Sequence, residues 1–214
     1  MKGLFLGILF IIIIGVGGFV YKNAIEYPSR PIACPVDALV CPDGTAVGRT
    51  GSSCSFPACP APNVSFPDVG IAFAVPEGFS PAPIPDGSSI AAYELSVASS
   101  TEASRIIIRR YAIAASSTAL ATIQQTAIGG ASGEPVSATF FSSTMLGTHR
   151  FTVVSIERFE GVIDTAYYLG RATDVLRFDA IDWGVVNWTD PSLDVTTLPA
   201  AAALRKLLST LQGG

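Results

Sequence analysis

Apolar residues follow three rhythms along this chain: an unbroken run, a stretch that nearly lacks them, and a long region where they alternate with polar positions. The run is Leu4–Val20, LFLGILFIIIIGVGGFV, which has none of the polar face that a surface helix turns to water. The poor stretch, residues 34–60, holds turn chemistry at Pro42-Asp43-Gly44-Thr45 and Gly48-Arg49-Thr50-Gly51. From Val64 the pattern becomes that of short strands. Ile71–Val75, Ala91–Val97, Arg105–Ile113, Val136–Phe141 and Leu176–Asp179 read as strands, and Arg150–Arg158 with Val162–Leu169 as a hairpin around Glu160-Gly161. Two segments are helical. Ser116 or Ser117 caps the first, which runs through about Ile128 with Leu120, Ile123 and Ala127 on one side and Gly129-Gly130 as the stop. Pro199 opens the second, where Leu204, Leu207, Leu208 and Leu211 recur at i, i+3, i+4 and i+7 and Gly213 ends the helix.

The expected fold class is therefore α+β: an antiparallel sheet with covering helices, after an N-terminal transmembrane helix and a small disulfide-rich module. The expected domains are 1–22 as a transmembrane signal-anchor, 23–33 as a linker, 34–60 as a cysteine module and 64–214 as the main domain. Leu4–Val20 is near the roughly 20 residues a bilayer crossing needs, and Lys2 favours a cytoplasmic amino terminus. Membrane contact through Leu4–Val20, single-pass and N-in, would leave 22–214 extracytoplasmic. A cleaved signal peptide is the alternative, and it exports the same residues.

Charge narrows the partners. The chain carries 13 Lys and Arg against 17 Asp and Glu, and Lys206 is the single lysine after residue 64. A mildly acidic domain without basic clusters argues against nucleic acid. A protein partner in the cell envelope is the remaining expectation.

All four cysteines fall within residues 34–59, spaced Cys34-x6-Cys41-x12-Cys54-x4-Cys59. A segment so short and so poor in large apolar residues cannot hold itself together by burial. Two disulfides, each worth roughly 2–4 kcal/mol, can do so in an oxidising compartment. Four thiolates around zinc form the rival arrangement, but closely spaced ligand pairs such as C-x2-C are missing. Four cysteines allow three pairings, and the spacing does not choose among them.

Cys41 to Cys54 resembles short cysteine modules of uncharacterised bacterial envelope proteins. The same stretch is similar to the Kazal protease-inhibitor motif. That resemblance implies that the Cys34–Cys41 segment is an inhibitory loop with Val36 as its specificity residue. The Tyr and Asn that follow the turn in that family are missing here, and the spacings are shifted. Downstream, the Phe73-Ala-Val-Pro-Glu-Gly-Phe79 opening, the strands, the helix and the terminal amphipathic helix resemble PsbP-like domains. The resemblance covers most of 66–212 as pattern, implies a non-enzymatic accessory or binding role, and supplies no site residues.

Little else carries chemistry. His149 is the single histidine, no Gly-x-Ser-x-Gly or Ser-x-x-Lys frames a nucleophile, and no phosphate-cradling glycine loop is present outside the apolar run. Asp174, Asp179, Asp182, Asp190 and Asp194 invite a glycosidase or calcium reading, but a solvated acidic face is the plainer one. Trp183 and Trp188 suit either an aromatic ligand platform or packed core. Asn63-Val-Ser65 and Asn187-Trp-Thr189 match the glycosylation pattern. No catalytic residue, metal or cofactor is expected. The leading function is a non-catalytic extracytoplasmic binding or scaffolding protein; a Kazal-like inhibitor and an acidic hydrolase are the alternatives.

Overall fold

Successive strand residues point to opposite sides of a sheet, and the central strands of this protein are apolar or charged on both sides because both are covered. The computed structural model describes residues 2–26, 34–41, 46–59, 61–95, 103–130 and 132–214, and within the first helix the side chains at 7 and 11–22. The chain divides into two units, Met1–Ala38 with Gly48–Pro57 and Leu39–Val47 with Ala58–Gly214.

The larger unit is built on seven antiparallel strands in the order β5-β6-β7-β11-β10-β9-β8. They are β5 (Phe79–Pro81), β6 (Ser89–Leu95), β7 (Arg105–Ala112), β8 (Ser142–Leu146), β9 (His149–Phe159), β10 (Val162–Gly170) and β11 (Asp174–Asp182). A second sheet of β3 (Val64–Phe66), β4 (Ile71–Phe73) and β12 (Gln212–Gly213) has the order β12-β4-β3. Short β1 (Ala38–Val40) and β2 (Ala46–Gly48) pair with each other. The helices are α1 (Lys2–Glu26), α2 (Ala119–Thr126) and α3 (Pro199–Ser209).

Register sorts the side chains. β11 pairs Phe178 with Ile108 on β7 and with Tyr167 on β10. Those residues, with Ile106, Phe151, Leu176, Ile71 and Phe73, form one apolar core against α3. Leu204, Leu207 and Leu208 are each 0% exposed, and burying each is worth about 1.5–3 kcal/mol. The neighbouring residues Ala166, Tyr168 and Val175 face the other way, packing with Val154, Ile156, Ile123 and Ala127 under α2.

The helix ends are satisfied by different means. Thr118, not Ser116 or Ser117, caps α2 by accepting from the Ala121 N–H at 3.1 Å. Leu120, expected on the buried stripe with Ile123 and Ala127, is 55% exposed in the first turn. At α3, Leu198 offers no side-chain cap and Pro199 has no N–H that would need an acceptor. The Asp182 carboxylate, from the end of β11, accepts from the Ala200 and Ala201 N–H groups at 2.8 and 3.2 Å.

The expected class is corrected. Among the described residues strands clearly outweigh helices, so the protein is mostly β, because short strands add to those that alternation marks. Val64–Phe66, Phe79–Pro81 and Gln212–Gly213 pair at sheet edges, where two or three residues are too few to show alternation. The strand expected at Val136–Phe141 is a 3₁₀ turn, Ala138–Phe140, and pairing begins only at Ser142. Ser137 accepts from the Thr139 N–H at 3.4 Å, the local competition that draws serine out of ladders. The expected transmembrane helix is corrected as well. Among the described residues no helix is long and apolar enough to cross a membrane.

Candidate functional site

The cysteine module is closed by two disulfides, Cys34–Cys54 and Cys41–Cys59, with Cα separations of 5.3 and 5.5 Å. This settles the pairing that spacing left open, and it leaves no thiolate for zinc. Among the described residues no cluster of three metal-ligating side chains exists.

Within the first unit, Cys34 is fixed by its bond to Cys54, which sits at φ 49 at the end of the turn opened by Gly51. Thr50 and Ser55 bridge across that turn, the Thr50 N–H donating to the Ser55 carbonyl at 2.9 Å. Three residues past Cys34, Asp37 is gripped by Arg49, whose Nε and Nη2 donate to the two carboxylate oxygens at 2.7 and 3.0 Å. The remaining terminal nitrogen donates to the Cys54 carbonyl at 3.0 Å, and the guanidinium lies 4.2 Å from the centre of the Phe56 ring. The Arg49 hydrogen bond holds the Asp37 carboxyl below its ordinary range. Water screens an ion pair this open, so its contribution is geometric, a planar fork that admits one orientation.

Pro35 and Val36 lie between these two anchors. Proline restricts the backbone further, and Val36 stands fully exposed. A rigid turn that offers an apolar β-branched side chain to solvent can seat in another protein's cleft at little entropic cost. Sequence reasoning named Val36 and the cysteines but missed Asp37, Arg49 and Phe56. A spacing of twelve residues between Asp37 and Arg49 gives no local cue that they meet.

The acidic residues singled out by type are engaged one by one in holding the fold. Asp174 accepts from Arg110 and Arg171, Nε at 2.5 Å in each case. Burial pushes its carboxyl upward, but those two arginines bring it below the ordinary value. Asp179 lies between Arg109 and Arg177, and Arg177 also donates to the Thr126 carbonyl at 2.6 Å. Asp182 caps α3, and burial raises its carboxyl despite the donated hydrogen bonds. Asp190 and Asp194 close small turns with Ser192 and Thr196. Asp174, Asp179 and Asp182 are thus buried, at 1%, 0% and 1% exposure, and the solvated face read from their spacing is corrected.

His149 opens β9, half-buried, with Nδ1 3.3 Å from the Thr148 hydroxyl and its ring 6.3 Å from that of Phe151. It lines a cavity of about 790 Å³ with Gly147, Ser209 and Gln212. Among the described residues no carboxylate pairs with it, and the Ser209 hydroxyl donates to the Lys206 carbonyl. Trp183 and Trp188 do not form one platform. Trp188 packs edge-on against Phe159 at 6.1 Å, while Trp183 lines a separate cavity.

No family model and no curated protein matches the chain. Among solved structures, a crystal structure from Bacteroides thetaiotaomicron VPI-5482 is similar at 10% identity and a TM-score of 0.41. The match covers 67% of this chain and 45% of that one, and at this level assigns neither fold nor activity.

Proposed function

We propose that this chain is a non-catalytic binding or scaffolding protein of an oxidising, extracytoplasmic compartment, and that the turn carrying Val36 is its contact with a protein partner. The observation that supports this reading is a fully exposed Val36 set between the Cys34–Cys54 disulfide and the bidentate Arg49–Asp37 clamp. The two disulfides favour the compartment. The engagement of Asp174, Asp179 and Asp182 in structural pairs weighs against the acidic hydrolase. The PsbP-like reading of residues 66–212 belongs to the same proposal as an accessory role.

The test places a photo-crosslinking side chain at Val36 of the full chain in the cells that make it. A discrete adduct with one protein is expected, strongly reduced by Arg49→Ala, which loosens the turn without touching the crosslinker. No adduct, or one indifferent to Arg49→Ala, would overturn the proposal. A protease inhibitor is the second reading, favoured by the same exposure and fixed flanks. It predicts that the full chain inhibits an endopeptidase preferring small apolar residues, and that Val36→Asp abolishes the inhibition.

A further inference from the structure

The far end of the β9–β10 hairpin holds a cavity of different chemistry from the cysteine module. Glu160 and Gly161 form its two-residue turn with φ of 49° and 80°, the left-handed pair that fits the twist of a hairpin. Register puts Phe159 opposite Val162 and Ile163 opposite Asp182, so Trp183 follows directly beside Val162. Glu157, two residues before Phe159 on the same strand, shares its face. Glu157, Phe159, Glu160, Val162 and Trp183 border an open recess of about 400 Å³. The size falls within the usual range for small-ligand sites.

The walls are fixed. The Val185 N–H donates to the Gly161 carbonyl at 2.9 Å, and Arg158 donates to the Trp188 and Asp190 carbonyls, tying the hairpin to the segment after β11. Trp188 braces Phe159 from the side. Yet Phe159 and Trp183 stay 47% and 36% exposed, a cost in water that packing does not explain. Two aromatic side chains and the Glu160 turn border one space, the Glu157 carboxylate lying instead against Gly130, and among the described residues no lysine or arginine lines it.

We propose that this cavity binds a small organic cation of the quaternary ammonium type. The π face of an indole attracts a cation, and the methyl groups of a trimethylammonium suit Phe159, Val162 and Trp183 where a hydrated ammonium would not. The exposed Glu160 carboxylate supplies the counter-charge. A bare metal ion is a poorer fit, because the aromatic walls offer it no ligands. The site is independent of the Val36 turn, so each can fail alone.

The test titrates the full chain with choline by calorimetry, alongside its uncharged isostere 3,3-dimethylbutan-1-ol. Saturable choline binding is expected, with negligible binding of the isostere. Trp183→Ala should weaken binding about tenfold, within what a partly desolvated cation–π contact supplies. Trp183→Phe, which keeps an aromatic face, should retain most of it, and the exposed Glu160→Gln should weaken it about threefold. Retention on phosphatidylcholine vesicles that Trp183→Ala and Glu160→Gln weaken in the same order as choline binding would assign the cation to a lipid headgroup; choline binding without such retention assigns it to a free solute. Equal binding of choline and isostere, no saturable choline binding, or choline binding unchanged in both Trp183→Ala and Glu160→Gln would overturn the proposal.

Discussion

Phe178 and Asp179 are consecutive residues of β11, both 0% exposed, and they resolve burial in opposite ways. Phe178 points to the α3 side and meets Phe151 edge-on at 6.1 Å within an all-apolar core. Asp179 points to the α2 side and accepts from two arginines. One face of the sheet is stabilised by removing apolar area from water. The other carries, beside its smaller apolar cluster, a chain of charges running from Asp86 through Arg109, Asp179 and Arg177 toward Asp164. The first kind of packing tolerates any filling of the right volume. The second requires each partner, since a charge buried alone costs far more than the pair gains.

Truncation separates the two faces. Phe178→Ala should cost about 4 kcal/mol, the loss of a fully buried ring plus the cavity it leaves. Urea unfolding should show a lower midpoint with an unchanged slope. Asp179→Ala should cost about 3 kcal/mol, although it removes fewer atoms and little apolar area, because Arg109 and Arg177 lose their shared acceptor. A cost below about 1 kcal/mol for Asp179→Ala would mean that water already serves those arginines, and the contrast between the faces would fall.

The smallest and most selective effect is at Asp164. Burial first, then the nearby Asp179 charge, raises its carboxyl well above the ordinary value; Arg177 and Arg109 oppose this and Glu157 adds to it. One carboxylate oxygen, Oδ1, has no hydrogen-bond partner among the described residues. An unfolded chain ionises this group from about pH 4, whereas the folded protein holds the proton. Its contribution is therefore full below that pH and is lost as pH rises toward the folded value. Asp86 and Asp174 behave in the opposite sense. Hydrogen bonds from Ser88, Ser89 and Arg109 outweigh burial at Asp86, and the arginines do so at Asp174, so their contributions disappear as pH falls through their lowered values. Asp164→Asn should change stability at pH 5 by about 1 kcal/mol or less and flatten its decline as pH rises above about 4. Acid unfolding should be unaltered. An unchanged slope above that pH would place the titration elsewhere.

Much of the large unit was legible in the chain. The hairpin around Glu160-Gly161, the strands at Ala91 and Arg105, and the leucine stripe of the last helix all follow from periodicity and turn residues. The stripe was right about Leu204, Leu207 and Leu208 because a helix face is a local property. Arg109-Arg110 blurred the faces of β7 in the sequence. In the fold each goes to its own side, Arg109 to Asp179 and Arg110 to Asp174. Of the candidate site, the four cysteines and Val36 were readable. Their pairing and the Asp37–Arg49 clamp were not.

The sequence by itself determined where the longer strands and the helices lie, and that one segment must be held by sulfur, because those properties depend on neighbours within a few residues. Tertiary structure alone decided the balance of strand over helix, the partners of every buried charge and the cavity beside Trp183. Those depend on which strand lies next to which, and pairing partners such as Asp174 and Arg110 are 64 residues apart. No period in a linear pattern reaches that far.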